Sequence, residues 1–90
     1  MFYTIMVVED DADINNLLAK MLRQADYQVI QVYSGSEAVL RLGQDTPDLV
    51  LLDLMLPGMS GDTVLAHMRS ELALDVPVIV LSAKNALTDK

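Results

Sequence analysis

The sequence predicts an α/β fold: a parallel sheet with helices on both faces, in the order βαβαβαβ. Three observations carry this. Short apolar runs of strand length alternate with segments of helical periodicity along all ninety residues. Two of the runs, Tyr3–Val8 and Leu49–Leu52, are almost wholly apolar, as in strands covered on both faces. The connections are short, and short connections between parallel strands leave a crossover helix as the link.

The elements follow in order. Thr4–Val8 is the first strand. Asp11 or Asp13 caps the next helix, in which Ile14, Leu17, Leu18, Met21, Leu22 and Ala25 recur at helical spacing and define an apolar stripe. Tyr27–Val32 is a second strand, more polar and so nearer an edge. Ser34 with Glu37 three residues on has the form of a capping box, opening a short helix through Val39, Leu40 and Leu42 that ends at Gly43. Leu49–Leu52, all aliphatic, is a central third strand. Pro57-Gly58-Met59-Ser60-Gly61 is a loop, and a third helix carries Val64, Leu65, Met68 and Leu72. Pro77 introduces a fourth strand, Val78–Leu81, ending in Ser82-Ala83; Lys84–Lys90 reads as a loop entering a further helix.

Composition narrows the function. A 52% apolar fraction in a chain of this length calls for a real core in a single domain, here residues 1–90. The net charge of −7, from 13 acids against 6 bases without a basic cluster, argues against direct contact with nucleic acid. There are no cysteines, so disulfides and thiolate metal sites are excluded. No apolar stretch approaches the roughly 18 residues of a membrane span, and the N-terminus lacks the basic segment of a signal peptide. The expected setting is the cytoplasm.

Acids stand where the strands end. Glu9, Asp10 and Asp11 close the first apolar run, and Asp53 closes Leu49–Leu52. Ligands in open parallel sheets bind at the carboxyl ends of the strands, and buried carboxylates require partners or a cation. Asp10 and Asp53 therefore offer two carboxylates to Mg²⁺, and the loop after Asp53 can add a backbone carbonyl. A carboxylate beside such a cation can form an aspartyl-phosphate, with the Ser82 hydroxyl available to a phosphoryl oxygen.

The segments Val7–Asp11, Leu51–Gly61 and Pro77–Ala83, in this order, resemble the motifs of bacterial response-regulator receiver domains. Their wording is most similar to the transcription-factor branch of OmpR and PhoB. The resemblance implies the flavodoxin-like, CheY-like fold with strand order 2-1-3-4-5, of which this chain holds 2-1-3-4. It implies that Asp53 accepts a phosphoryl group from a sensor histidine kinase. It further implies Mg²⁺ on Asp10, Asp53 and the Met55 carbonyl, with Glu9 acting through water and Ser82 as the hydroxyl that follows the phosphoryl group. Such a protein is a signalling module rather than a turnover enzyme, and its output is transcriptional. Receiver domains are longer than this chain, so the fifth strand, its lysine and the last helix are expected to be missing. Lys84, two residues beyond Ser82, is not that lysine.

Other readings compete. Asp11 and Asp13 suit a helix N-terminus without any metal. Asp11, Asp13 and Asn15 mimic half of an EF-hand loop, but Asn16 and Leu22 stand where that loop needs Gly and Glu. His67 has no metal-binding partner at motif spacing and reads as a packing or surface residue; the methionines read as core filler. A phosphatase of haloacid dehalogenase type also uses a strand-terminal Asp, but it needs a second Asp where Met55 stands. A structural fragment without phosphoryl chemistry is the third reading. With the fourth strand at an edge, its apolar run Val78–Leu81 favours a homodimer or higher assembly, through edge pairing or exchange of elements.

Overall fold

The computed structural model describes residues 2–72 and 75–81 of the chain. Its elements are β1 (Thr4–Val8), α1 (Ala12–Gln24), β2 (Gln28–Val32), α2 (Gly35–Leu42), β3 (Leu49–Leu52), α3 (Gly61–Ser70) and β4 (Val78–Val80). The strands form one parallel sheet in the order β2-β1-β3-β4. Element order, sheet order and parallel pairing agree with the sequence-based expectation. β2 begins one residue later than expected. β4 ends at Val80, although the Leu81 N–H still donates to the Leu52 carbonyl at 2.8 Å.

Alternation along the strands divides the core into two layers. Met6, Val8, Val32, Val50 and Leu52 face α2 and α3, where Ala38, Leu42, Val64 and Met68 are buried against them. Ile5, Val7 and Leu51 face the other way, with Leu18 and Leu22 of α1 packed on them. β1 and β3 are paired on both sides and covered by helices on both faces, and this is why their side chains are apolar on each. At the amino edge of the sheet Asp48 ties the two central strands together: its carboxylate accepts from the Thr4 N–H at 2.8 Å, and its own N–H donates to the Thr4 carbonyl at 2.8 Å.

Two expectations about burial are corrected. The sheet-facing side of α1 is Asn15, Leu18, Ala19 and Leu22, itself a helical i, i+3, i+4, i+7 set. The expected stripe is rotated by one position, so Ile14, Leu17 and Met21 are exposed. Asn15 takes an inward position, where its amide meets the Val32 and Glu9 carbonyls, a demand that hydrophobic periodicity does not register. Likewise Met6 and Met68 are core residues, but Met21 and Met55 stand in solvent.

The helix starts are set by side-chain caps. Asp11 accepts from the Asp13 and Ile14 N–H groups at 2.9 and 3.1 Å and opens α1. Ser34 accepts from the Glu37 N–H at 3.1 Å, as the capping box predicts. The return bond reaches one residue further back, from the Tyr33 N–H to Glu37 Oε1 at 3.0 Å. Ser60 caps α3 through the Thr63 N–H, so Gly61, expected in the loop, is the first residue of the helix. A Cβ on Gly61 would lie 2.6 Å from both the Asp53 carbonyl oxygen and the Leu54 Cα. Only glycine permits that approach. Gly58, at φ +77°, turns the preceding loop.

Candidate functional site

Register brings the acids together. Val8 pairs with Val32 on one side and Leu52 on the other, and Leu52 pairs with Val80. One step further along, Glu9 and Asp53 leave neighbouring strands side by side. Two bonds extend the ladder past its formal end: Glu9 N–H to the Val32 carbonyl and Asp53 N–H to the Val8 carbonyl, each 3.0 Å. Glu9 is 5% exposed and Asp53 1%, whereas Asp10 is open to solvent. Carboxylate oxygens of Glu9, Asp10 and Asp53 all lie within 4.8 Å of one another. Segments more than forty residues apart in sequence thus converge on one acidic cluster.

Local bonds aim these groups. Asp53 Oδ1 accepts from the Met55 N–H at 2.9 Å, an Asx turn that bends the chain away from β3. Glu9 Oε2 accepts from the Asp11 N–H at 3.0 Å, so its carboxylate folds over the start of α1. Burial raises the Glu9 pKa above its ordinary 4.5 and outweighs the Asp11 N–H, which lowers it. The Asp53 charge, together with hydrogen bonding between Glu9 and the Asp53 and Asp10 carboxyls, raises it further. A divalent cation would reverse that crowding, and three oxygen ligands from two chain segments suit a hard ion such as Mg²⁺. The donor set fits the ion.

Of the residues expected at the site, Glu9, Asp10 and Asp53 are brought together, and Met55 lies two residues past Asp53, 46% exposed, its N–H donating to the Asp53 carboxylate. Ser82 and Lys84–Lys90 lie outside the described residues. His67, half-buried on α3, belongs to no group of metal-ligating side chains among the described residues. Sequence reasoning passed over Asn15, which it weighed only as part of a rejected calcium loop. Its sole signal was a polar residue in line with the apolar positions Leu18, Ala19 and Leu22 of an amphipathic helix.

A doubly wound parallel sheet with an acidic cluster at the carboxyl edge of adjacent strands is an open α/β protein with a candidate cation site where such sheets bind ligands. The response regulator receiver domain family matches residues 5–90, and the chain belongs to it. Relatives include the transcriptional regulatory protein YrkP of Bacillus subtilis, 43% identical over the whole of this chain and 38% of its own length. The phosphate regulon transcriptional regulatory protein PhoB of Escherichia coli is 38% identical over 96% of this chain and 38% of its own. The chain thus spans well under half the length of these relatives. Among solved structures, the receiver domain of sensor histidine kinase PA1611 from Pseudomonas aeruginosa, with a magnesium ion coordinated in its active site cleft, superposes with a TM-score of 0.85. That match is at 31% identity and covers 99% of this chain and 73% of the other. These receiver domains are signalling modules of two-component systems, and the dehalogenase-type phosphatase reading is not favoured. Among the described residues no helix is long and apolar enough to cross a membrane.

Proposed function

We propose that Asp53 is the phosphoacceptor of this receiver and that Asp10, Asp53 and the Met55 carbonyl hold Mg²⁺, with Glu9 acting through water. The observation that carries the reading is the convergence of the Glu9, Asp10 and Asp53 carboxylate oxygens within 4.8 Å of one another. An Asp53 carboxylate oxygen attacks the phosphorus of a phosphohistidine on a sensor kinase; the new O–P bond forms as the P–N bond to the imidazole breaks, and the imidazole keeps the electron pair and takes up a proton. When bound, Mg²⁺ supplies positive charge against the phosphoryl oxygens. The Met55 N–H on Asp53 Oδ1 helps to fix the rotamer of the carboxylate. Ser82 is assigned the hydroxyl that meets the transferred group. Self-phosphotransfer and self-dephosphorylation are the only catalysis assigned to the chain. The longer relatives are named as transcriptional regulators, which supports transcriptional control as the output, with the cytoplasm as the proposed setting.

Incubation with acetyl phosphate and Mg²⁺ followed by intact mass tests this. The expected product is a single adduct of about 80 Da, the mass of a phosphoryl group. It should be absent in Asp53→Ala and without Mg²⁺. An adduct that persists in Asp53→Ala, or none in a folded chain that binds Mg²⁺, overturns the assignment. Self-association through β4 is supported by the exposure of Ile79 and Val80 on the outer strand of the sheet among the described residues. Light scattering showing a monomer across the working concentration range would remove it.

A further inference from the structure

Asn15 is fully buried, and every hydrogen-bonding group of its amide is engaged. Nδ2 donates to the Val32 carbonyl at 2.9 Å and the Glu9 carbonyl at 3.0 Å, with the Val7 carbonyl at 3.5 Å beside them. Oδ1 accepts from Gln31 Nε2 at 3.0 Å. This arrangement fixes which way the amide points, because turning it over would set its oxygen against two carbonyl oxygens. Gln31 is held in turn by Asn16 Oδ1 at 2.8 Å, the Tyr33 hydroxyl at 3.2 Å and Arg23 at 3.4 Å.

The Glu9 carbonyl is where this network meets the acidic cluster. A peptide unit is planar, so fixing the Glu9 oxygen also fixes the Asp10 N–H and the direction in which the chain leaves for Asp10. The Val32 carbonyl that accepts from Asn15 also accepts from the Glu9 N–H. Both peptide units flanking Glu9 are therefore clamped, one through Val32 and one through Asn15. We infer that Asn15 is a positioning residue for the cation site, setting the geometry of Glu9 and Asp10 through the Glu9–Asp10 peptide. The inference rests on the Mg²⁺ reading above. It goes beyond plain satisfaction of buried carbonyls, which would stabilise the fold without tuning the acids.

The test compares Asn15→Leu, similar in volume but without the amide, with Ala38→Gly, which loosens α2 on the opposite face of the sheet. Mg²⁺ affinity is read by calorimetry. Hydrogen exchange is read without metal at the Asp10 and Asp11 amides, with β3 amides reporting global opening. Residues behind metal ligands typically change affinity by roughly 10–100-fold when removed, and a loss of that size is expected for Asn15→Leu. Ala38→Gly should lose stability and keep its affinity. Exchange at Asp10 and Asp11 should accelerate in Asn15→Leu beyond the change at β3. Unchanged affinity together with exchange that follows only the global change overturns the inference. If Asn15→Leu does not fold, Gln31→Met frees the amide to turn and should weaken Mg²⁺ in the same direction; unaltered affinity there is equally fatal. Failure of the unsubstituted chain to bind Mg²⁺ would sink the cation reading alone, and the metal-free exchange would still decide whether Asn15 clamps the turn.

Discussion

The two faces of the sheet are held by different means. On the side of α2 and α3, Met6, Val8, Val50, Leu52, Val64 and Met68 form a dry layer in which aliphatic side chains meet aliphatic side chains. On the side of α1 the buried layer is thin, built on Ile5, Val7 and Leu51, and the helix is tied down by Asn15 while Ile14, Leu17 and Met21 face solvent. Bulk stability therefore resides on the first face. The second face governs the exit of β1, where Glu9 and Asp10 begin. Apolar burial is non-directional and holds layers together, whereas hydrogen bonds fix orientation, and an ion site needs orientation.

The sharpest way to break this contrast is Leu52→Ala. Truncating a fully buried leucine in a dense layer costs about 2–5 kcal/mol, a large share of the stability of a small domain. Urea unfolding should show the midpoint collapse. A loss below about 1 kcal/mol would mean that this layer is not the main support.

An intermediate effect is expected of Glu9→Gln. In the folded chain Glu9 binds its proton more tightly than in the unfolded chain, so folding takes up protons and stability falls as pH rises from the ordinary value of 4.5 through the raised folded one. Below that window Glu9 is protonated in both states, and the variant should match the parent. Above it, with Mg²⁺ absent, the variant should be the more stable. Its Mg²⁺ affinity should fall on the order of tenfold, as for a residue behind the ligands. Thermal melts from pH 4 to 8 in a chelator give the first result, and a calcium-free magnesium titration gives the second. A variant less stable than the parent at neutral pH would contradict the crowding assigned to the site.

The smallest effect sharpens the comparison from the other face. Leu17 is 57% exposed, and Leu17→Ala should stay within about 0.5 kcal/mol of the parent in the same urea titration. A cost approaching that of Leu52→Ala would place Leu17 in a packed interface in solution.

Much of the fold was legible because its signals are local. The apolar runs of β1 and β3, the caps at Asp11 and Ser34, and the acid at the end of each central strand need no tertiary knowledge. The convergence of Glu9, Asp10 and Asp53 was also readable, since parallel strands place their ends together. The orientation of α1 was not. Its apolar residues fit two overlapping stripes, and the choice between them was made by carbonyls of Val32 and Glu9, residues on other elements that hydropathy does not score. The start of α3 at Gly61 was missed although its signal, the Ser60 cap, is local; the need for glycine there, a close approach to Asp53 and Leu54, is a distance in space rather than a pattern in sequence. Exposed Met21 and Met55 show that a flexible apolar side chain carries little information about its own depth.

That contact at Gly61 has a mechanical consequence. The chain from Asp53 to Gly61 closes on itself, with the Gly61 N–H on the Leu54 carbonyl at 3.2 Å and no side chain as cushion between the glycine and the Asp53 backbone. A ring so tight has no slack. A side chain at position 61 would have to displace the main chain of Asp53 and Leu54, so the end of β3 and the first turn of α3 are held at one fixed spacing.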